Sequence, residues 1–329
     1  MTAVKSRHLF TAVLLGLVCL LLASLTLWAP TYWVSITVLA LIFAIFAMSI
    51  DLLLGYGGMP SFGHAAFYGA GALVCARVSL AVPSIGLFPL LGVSVGAAAV
   101  LAIPLGALAL RVRGIYFLML TLAFGQMLWG YAFQAPHDVL GGSDGLIGVG
   151  RPPLDILEAI DQWLWQLAGV SPAAVGVRHF YNLTLLAAVA TLGLLAALVR
   201  SPFGRTLVGI RESEHRMTAL GCPTFRYRLA AFIVAGALAG LAGALSTLFN
   251  GFANASSLYW TNSGLVLIAA IVGGVGTLVG PALGAAIIVF LKNFASVYTK
   301  RWLLILGAVY IGVILFAPRG VLGALRSGR

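Results

Sequence analysis

From residue 33 to residue 54 the chain runs through 22 positions that carry a single charge, Asp51. A helix rises about 1.5 Å per residue, so about 20 apolar residues cross the hydrocarbon core of a bilayer. Such a run is either a membrane span or a wholly buried helix. It recurs, at 9–29, 33–54, 62–81, 85–110, 115–135, 181–199, 229–250, 262–279, 280–298 and 303–318. Only 8% of the 329 residues are charged, against roughly 25% in soluble domains, too few to clothe a water-exposed surface. The composition excludes a soluble enzyme, a disordered chain and a nucleic-acid-binding domain. The expected fold is all-α: one integral-membrane domain over 1–329, a polytopic bundle of about ten spans. The glycine-rich third span, and the eighth and ninth with their Gly/Pro turn, are candidates for short, broken or re-entrant segments.

The net charge of +11 is spread between the apolar runs, as the positive-inside bias produces. With the N-terminus placed in the cytoplasm, thirteen of the nineteen Lys and Arg fall on the inner side. Both termini are then cytoplasmic. The apolar run 9–29 exceeds a signal-peptide core and reads as an uncleaved first span. An external loop is expected over 136–180, with 154–167 as an amphipathic interfacial or surface helix. A cytoplasmic segment is expected over 200–228. In it Ser201-Pro202 starts a short helix, Gly221 and Pro223 stop it, and Leu207, Ile210, Met217 and Leu220 recur near helical spacing. This helix suits docking to a soluble partner or serves as a plain connector.

Reaction chemistry is missing. None of the three lysines follows a glycine, so there is no phosphate-cradling loop for ATP, and no metal or catalytic spacing occurs. Cys19, Cys75 and Cys222 are scattered and read as small fillers. Asp51 and His64 stand alone in the spans, thin support for a proton relay. They flank a glycine-rich bend, Gly55, Gly58 and Gly63 among its residues. Asp51 either lines an exit or accepts the N–H groups of that bend. Gly55-Tyr56-Gly57-Gly58 and Gly273-Gly274-Val275-Gly276 are candidate partners at paired helix breaks; close helix packing explains them equally.

Seven motifs in order then resemble one family. They are DLLLGYGGMPSFGHAAFYGAGA at 51–72, RVRGIYFLMLTLAFGQM at 111–127, GGSDGL at 141–146 and SPFGRTLVGIRESE with ALG over 201–221. GLAGAL at 240–245, GGVGTLVGPALGA at 273–285 and FAPRGVLG at 316–323 complete the set. The chain resembles the permeases of branched-chain amino acid ABC transporters, the longer of the two permease types. The resemblance implies a second, homologous permease, two cytoplasmic ATPase subunits that bind the ATP, and a periplasmic or lipid-anchored substrate-binding protein. It implies import of leucine, isoleucine or valine across a bacterial inner membrane, with no cofactor on this chain. It carries an ATPase-coupling role onto Arg205, Arg211, Glu212, Glu214, Ala219 and Gly221, although His215 to Thr218 depart from the family pattern.

A pathway for an aliphatic amino acid needs apolar walls and a few polar groups. Candidates are Thr121, Gln126, Asn250, Asn254 and Asn262, with Phe124 and Phe249 as lining. Interhelical hydrogen bonds for Thr121 and Gln126, and helix capping for Asn250 and Asn254, are the structural alternatives. The same architecture carrying urea, short-chain amides or other amino acids stays open, as do a self-contained secondary carrier and a structural membrane subunit.

Overall fold

The computed structural model describes residues 29–150, 152, 172–299, 301–316 and 320–321. It is a helix bundle. Pro30 precedes α1 (Thr31–Asp51), and a π-turn (Leu52–Tyr56) prolongs it. There follow α2 (His64–Ala81), α3 (Leu87–Ala109), α4 (Ile115–Gln134) and a single turn at His137–Leu140. After α5 (Pro172–Arg200) come the short α6 (Pro202–Glu212) and α7 (Glu214–Ala219), then the long α8 (Thr224–Asn250). The described helices end with α9 (Trp260–Gly273), α10 (Val279–Tyr298) and α11 (Trp302–Phe316).

Burial ranks the helices. In its most apolar window α1 with its π-turn is 83% buried, α8 61% and α4 22%. α1 and α8 therefore form the centre; α5, α8 and α10 pack on α1, and α2 and α3 pack on α8. The α8 faces are cut from small residues. A Cβ on Gly71 of α2 would lie 2.5 Å from the Gly240 Cα of α8, so the two backbones meet directly. In lipid, where apolar side chains gain little by leaving the solvent, such backbone approach drives association.

Among the described residues six helices are long and apolar enough to cross a bilayer, and α9 is shorter, at 14 residues. At 1.5 Å per residue α9 reaches about 21 Å, short of the ~30 Å core. The helical architecture is as expected, and several boundaries move. The first expected span, 9–29, and the amphipathic stretch 154–167 lie outside the described residues. α5 begins at Pro172, inside the stretch read as an external loop, and α8 begins at Thr224 rather than 229. Pro223 does not merely stop a helix; it is the N-cap of α8. The single helix expected between Ser201-Pro202 and Gly221 is two, broken at Ser213, whose Oγ accepts the Arg216 N–H and starts α7.

Irregular backbone sits deep in the bundle. A short 3₁₀ turn (Ala255–Leu258) brings the Leu258 backbone against Gly69, within α2; a Cβ there would be 2.8 Å from Leu258 N. Side chains of α9 tie this turn and the start of α2 in place. Asn262 Nδ2 donates to the Ser256 and Ser257 carbonyls, and Ser263 Oγ accepts the Ala65 N–H at 2.8 Å. β1 (Leu146–Ile147) and β2 (Phe252–Ala253) pair antiparallel, Leu146 opposite Ala253 and Ile147 opposite Phe252, tying two loops together.

Candidate functional site

The π-turn ends α1 in glycines, and this lets two helix breaks touch. Asp51, in the last turn of α1, is fully buried. Its Oδ1 accepts the Gly276 N–H at 2.7 Å and its Oδ2 the Leu278 N–H at 3.2 Å. A buried carboxylate is stable only with such partners. These N–H groups belong to the loop between α9 and α10, not to the Gly55–Gly63 bend expected to supply them. That loop needs holding. Leu278 has φ 59°, the one positive φ on a non-glycine among the described residues, a conformation costing of order 1–3 kcal/mol. Tyr56 Oη donates to the Gly276 carbonyl at 2.9 Å. A Cβ on Gly55 would fall 2.5 Å from Gly276 N. The two glycine segments singled out in the sequence are thus in direct contact, 225 residues apart at Asp51 and Gly276.

One turn back along α1 lies a column of rings. His64, the first residue of α2, is fully buried; it stacks on Phe46 at 5.5 Å, and Phe46 meets Tyr68 at 4.8 Å. Ser49 Oγ donates to the Phe46 carbonyl and lies 2.8 Å from His64 Nε2. With the hydroxyl proton committed, His64 Nε2–H is the donor and Nδ1 is left as a bare acceptor. His64 fills the core rather than lining an exit.

The α6–α7 segment is wired to this junction. Arg211 Nη1 donates to the Gly55 carbonyl, and its stem covers Gly58, whose φ is +65°. Glu214 turns inward too. It pairs with Arg228 of α8 at 3.3 Å and with Arg113 of the α3–α4 loop at 3.2 Å, and its Oε1 accepts from Thr224 Oγ1. Arg228 is buried, and its Nε also approaches Met59 Sδ of the bend at 3.2 Å. Arg205, Glu212, Ala219 and Gly221 remain exposed, and Leu220 beside them is 80% exposed.

Beside the middle of α1 and the C-terminal end of α8 a cavity of about 330 Å³ opens between α1, α2, α8, α9 and α10. Ile42, Phe43, Phe46, Leu265 and Ile288 form apolar walls; Ser246, Asn250, Asn262, Lys292 and Asn293 add polar groups. Of the pathway candidates, the cavity brings Asn250 and Asn262 together. Asn250 does not cap α8: Gly251 does so in the left-handed region, and Asn250 Nδ2 bonds back to Ser246. Thr121 and Phe124 instead border a small void beside Ser61 and Gly63, and Thr121 Oγ1 accepts the Phe62 N–H. Thr121 thus makes an inter-segment hydrogen bond. Gln126 has a buried Nε2 with no hydrogen-bond partner among the described residues. Phe249 stacks on Phe180 at 5.6 Å, and Asn254 precedes the 3₁₀ turn, its Cβ facing Gly145. Sequence reasoning missed Arg113, Arg228 and Asn293. Arg228, a cation inside the first turn of an apolar helix, carried a usable signal; Asn293 did not.

Six helices long and apolar enough to cross a bilayer, packed on one another among the described residues, define a multi-pass membrane protein. The chain belongs to the family of branched-chain amino acid transport system permease components, whose profile matches residues 32–317. It is 28% identical over 304 residues to the high-affinity branched-chain amino acid transport system permease protein LivM of Salmonella typhimurium, covering 89% of this chain and 70% of that one. The corresponding protein of Escherichia coli is 27% identical over 301 residues, with the same coverage. A probable branched-chain amino acid transport permease of Methanocaldococcus jannaschii is 27% identical over 142 residues, 38% of this chain and 41% of that one. No solved structure matches the chain.

Proposed function

We propose that this chain is the transmembrane permease subunit of an ATP-driven importer of branched-chain amino acids. It sits in a bacterial inner membrane with both termini cytoplasmic. A second permease completes the pathway, two cytoplasmic ATPase subunits bind and hydrolyse the ATP, and a binding protein delivers leucine, isoleucine or valine. The permease itself is not an enzyme. The observation that carries the reading is the α6–α7 segment. Its outer side offers Arg205, Glu212, Ala219, Gly221 and the bare Leu220 to a soluble partner. Its inner side holds the helix-break junction through Arg211 and Glu214. A push on the segment therefore reaches the α1 break without crossing a flexible linker.

Substrate passes along the cavity and down past the junction. Asn250 and Asn262 are its polar contacts, and displacement of the ring column of Phe46, His64 and Tyr68 opens the way. The differential free energy comes from ATP on the partners, since a state change needs a ligand that prefers one state. Gentle-detergent purification of the tagged chain, followed by reconstitution in proteoliposomes, tests the reading. Co-purifying ATPases and a second permease, with leucine uptake that stops when ATP is withheld, is the expected result. Uptake that continues without ATP and collapses with the ion gradient overturns it.

A further inference from the structure

Asn250 of α8, Asn262 of α9 and Asn293 of α10 line the same cavity from three helices. Each commits amide N–H groups at home. Asn250 Nδ2 donates to the Ser246 carbonyl at 2.9 Å and lies 3.2 Å from Ser246 Oγ, Asn262 Nδ2 donates to the Ser256 and Ser257 carbonyls at 2.9 and 3.3 Å, and Asn293 Nδ2 donates to the Val289 carbonyl at 2.8 Å. A carbonyl oxygen can only accept, so the amide orientation is set by chemistry: the nitrogen faces the carbonyl, and Oδ1 stays on each side chain as an acceptor, with one further N–H on Asn293. The cavity thus assembles three acceptors and, among the described residues lining it, no carboxylate. Its walls, with Ile42, Phe43 and Ile288, are aliphatic and aromatic. Its volume of about 330 Å³ falls at the small end of the ligand-pocket range of about 300–1,000 Å³.

We infer that this cavity is a ligand site that recognises a branched aliphatic amino acid by its ammonium group, through the Oδ1 atoms of Asn250, Asn262 and Asn293. The inference rests on the transport reading above and names the group by which the permease selects. Neutral acceptors suit a transported ligand. They satisfy the N–H donors of an ammonium without the Coulomb attraction of a buried carboxylate, so the ligand is oriented and still leaves. Urea and short amides lack the aliphatic body that the apolar walls would cover. An aliphatic acid without the amine offers the three acceptors no donor, so it loses the hydrogen bonds that an amino acid makes there.

The test uses the full chain in lipid nanodiscs with radiolabelled leucine at millimolar concentration. Unlabelled leucine displaces the label, whereas 4-methylpentanoate, the same skeleton without the amine, displaces it at least about tenfold less well. Asn293→Leu keeps the side-chain volume and removes the acceptor. It weakens leucine binding about tenfold and leaves the weak 4-methylpentanoate competition unchanged, a difference that a merely loosened pocket does not produce. Asn293→Asp, which restores an acceptor, recovers leucine binding. Equal competition by leucine and 4-methylpentanoate, unchanged leucine binding in Asn293→Leu, or no displaceable leucine on the wild-type chain overturns the inference. ATP-driven uptake by the assembled transporter is scored separately. Uptake with no ammonium dependence in binding removes this site and keeps the transport reading. Leucine binding with that dependence, but without ATP-driven uptake, does the reverse.

Discussion

The two ends of the stretch from Leu39 to Gly55, the second half of α1 with its π-turn, solve opposite problems with similar residues. At one end Asp51, Gly55 and Gly276 close two helix breaks onto each other with no space between backbones. At the other end, Leu39 and Ile42 of the same helix border a cavity with room for a ligand. At the junction every polar contact is charge-assisted or backbone-directed and depends on one geometry. Around the cavity the asparagines satisfy themselves locally, so the wall keeps its shape whether or not a ligand is present. The contrast teaches that the junction is where stability and switching are coupled, and that the cavity is where selection is tuned at small structural cost.

That contrast can be broken most forcefully at Gly55. Gly55→Leu places side-chain atoms into the Gly276 backbone, which cannot yield as a flexible side chain would. Loss of more than about 4 kcal/mol is expected, seen as failure to recover a monodisperse protein in detergent. Normal yield and melting temperature would mean that the breaks do not touch.

Glu214→Ala is next. It leaves Arg228, whose side chain is 9% exposed, without its carboxylate, at an expected cost of about 2–3 kcal/mol in thermal unfolding. Arg228→Met combined with Glu214→Ala recovers most of that loss, because a buried cation is then no longer stranded. Additive single effects would show that the pair is not coupled.

Asp51→Asn keeps the bulk of the side chain and replaces one acceptor oxygen by a donor that faces a backbone N–H. About 1.5–3 kcal/mol is expected, with faster hydrogen exchange confined to the 274–278 loop; exchange spread evenly over α9 and α10 would contradict the local role. The smallest effect belongs to the cavity. Ile42→Val borders existing space and costs under about 1 kcal/mol, while it shifts the preference between leucine and valine in binding competition. A stability loss equal to that of Asp51→Asn would erase the distinction between the two ends.

Much of this was legible in the amino-acid order. The helical bundle, the helix breaks at Gly55–Gly58 and Gly273–Gly276, and the start of the α6–α7 segment at Ser201-Pro202 all carry local signals, namely hydropathy, glycine and proline. Boundaries next to polar stretches were less legible. The N-terminal turns of α5 and α8 contain Arg178, His179, Arg226 and Arg228, which hydropathy reads as loop, although Arg178 is buried and donates to the Ala29 carbonyl and Arg228 is buried against Glu214. The break at Ser213 was missed because a serine in a charged helix looks unremarkable until its side chain caps the next one.

The sequence by itself determined that this chain crosses a membrane as a helix bundle and that it breaks at its two glycine-rich segments, because lipid tolerates unpaired backbone nowhere and each apolar run answers to that solvent residue by residue. Only the tertiary structure decided what Asp51 holds, that Glu214 looks inward to Arg113 and Arg228, and that Asn250, Asn262 and Asn293 share one cavity. Those partners are set by helix packing across distances of up to 227 residues in the chain, and a single polar residue carries no periodic signal that could announce them.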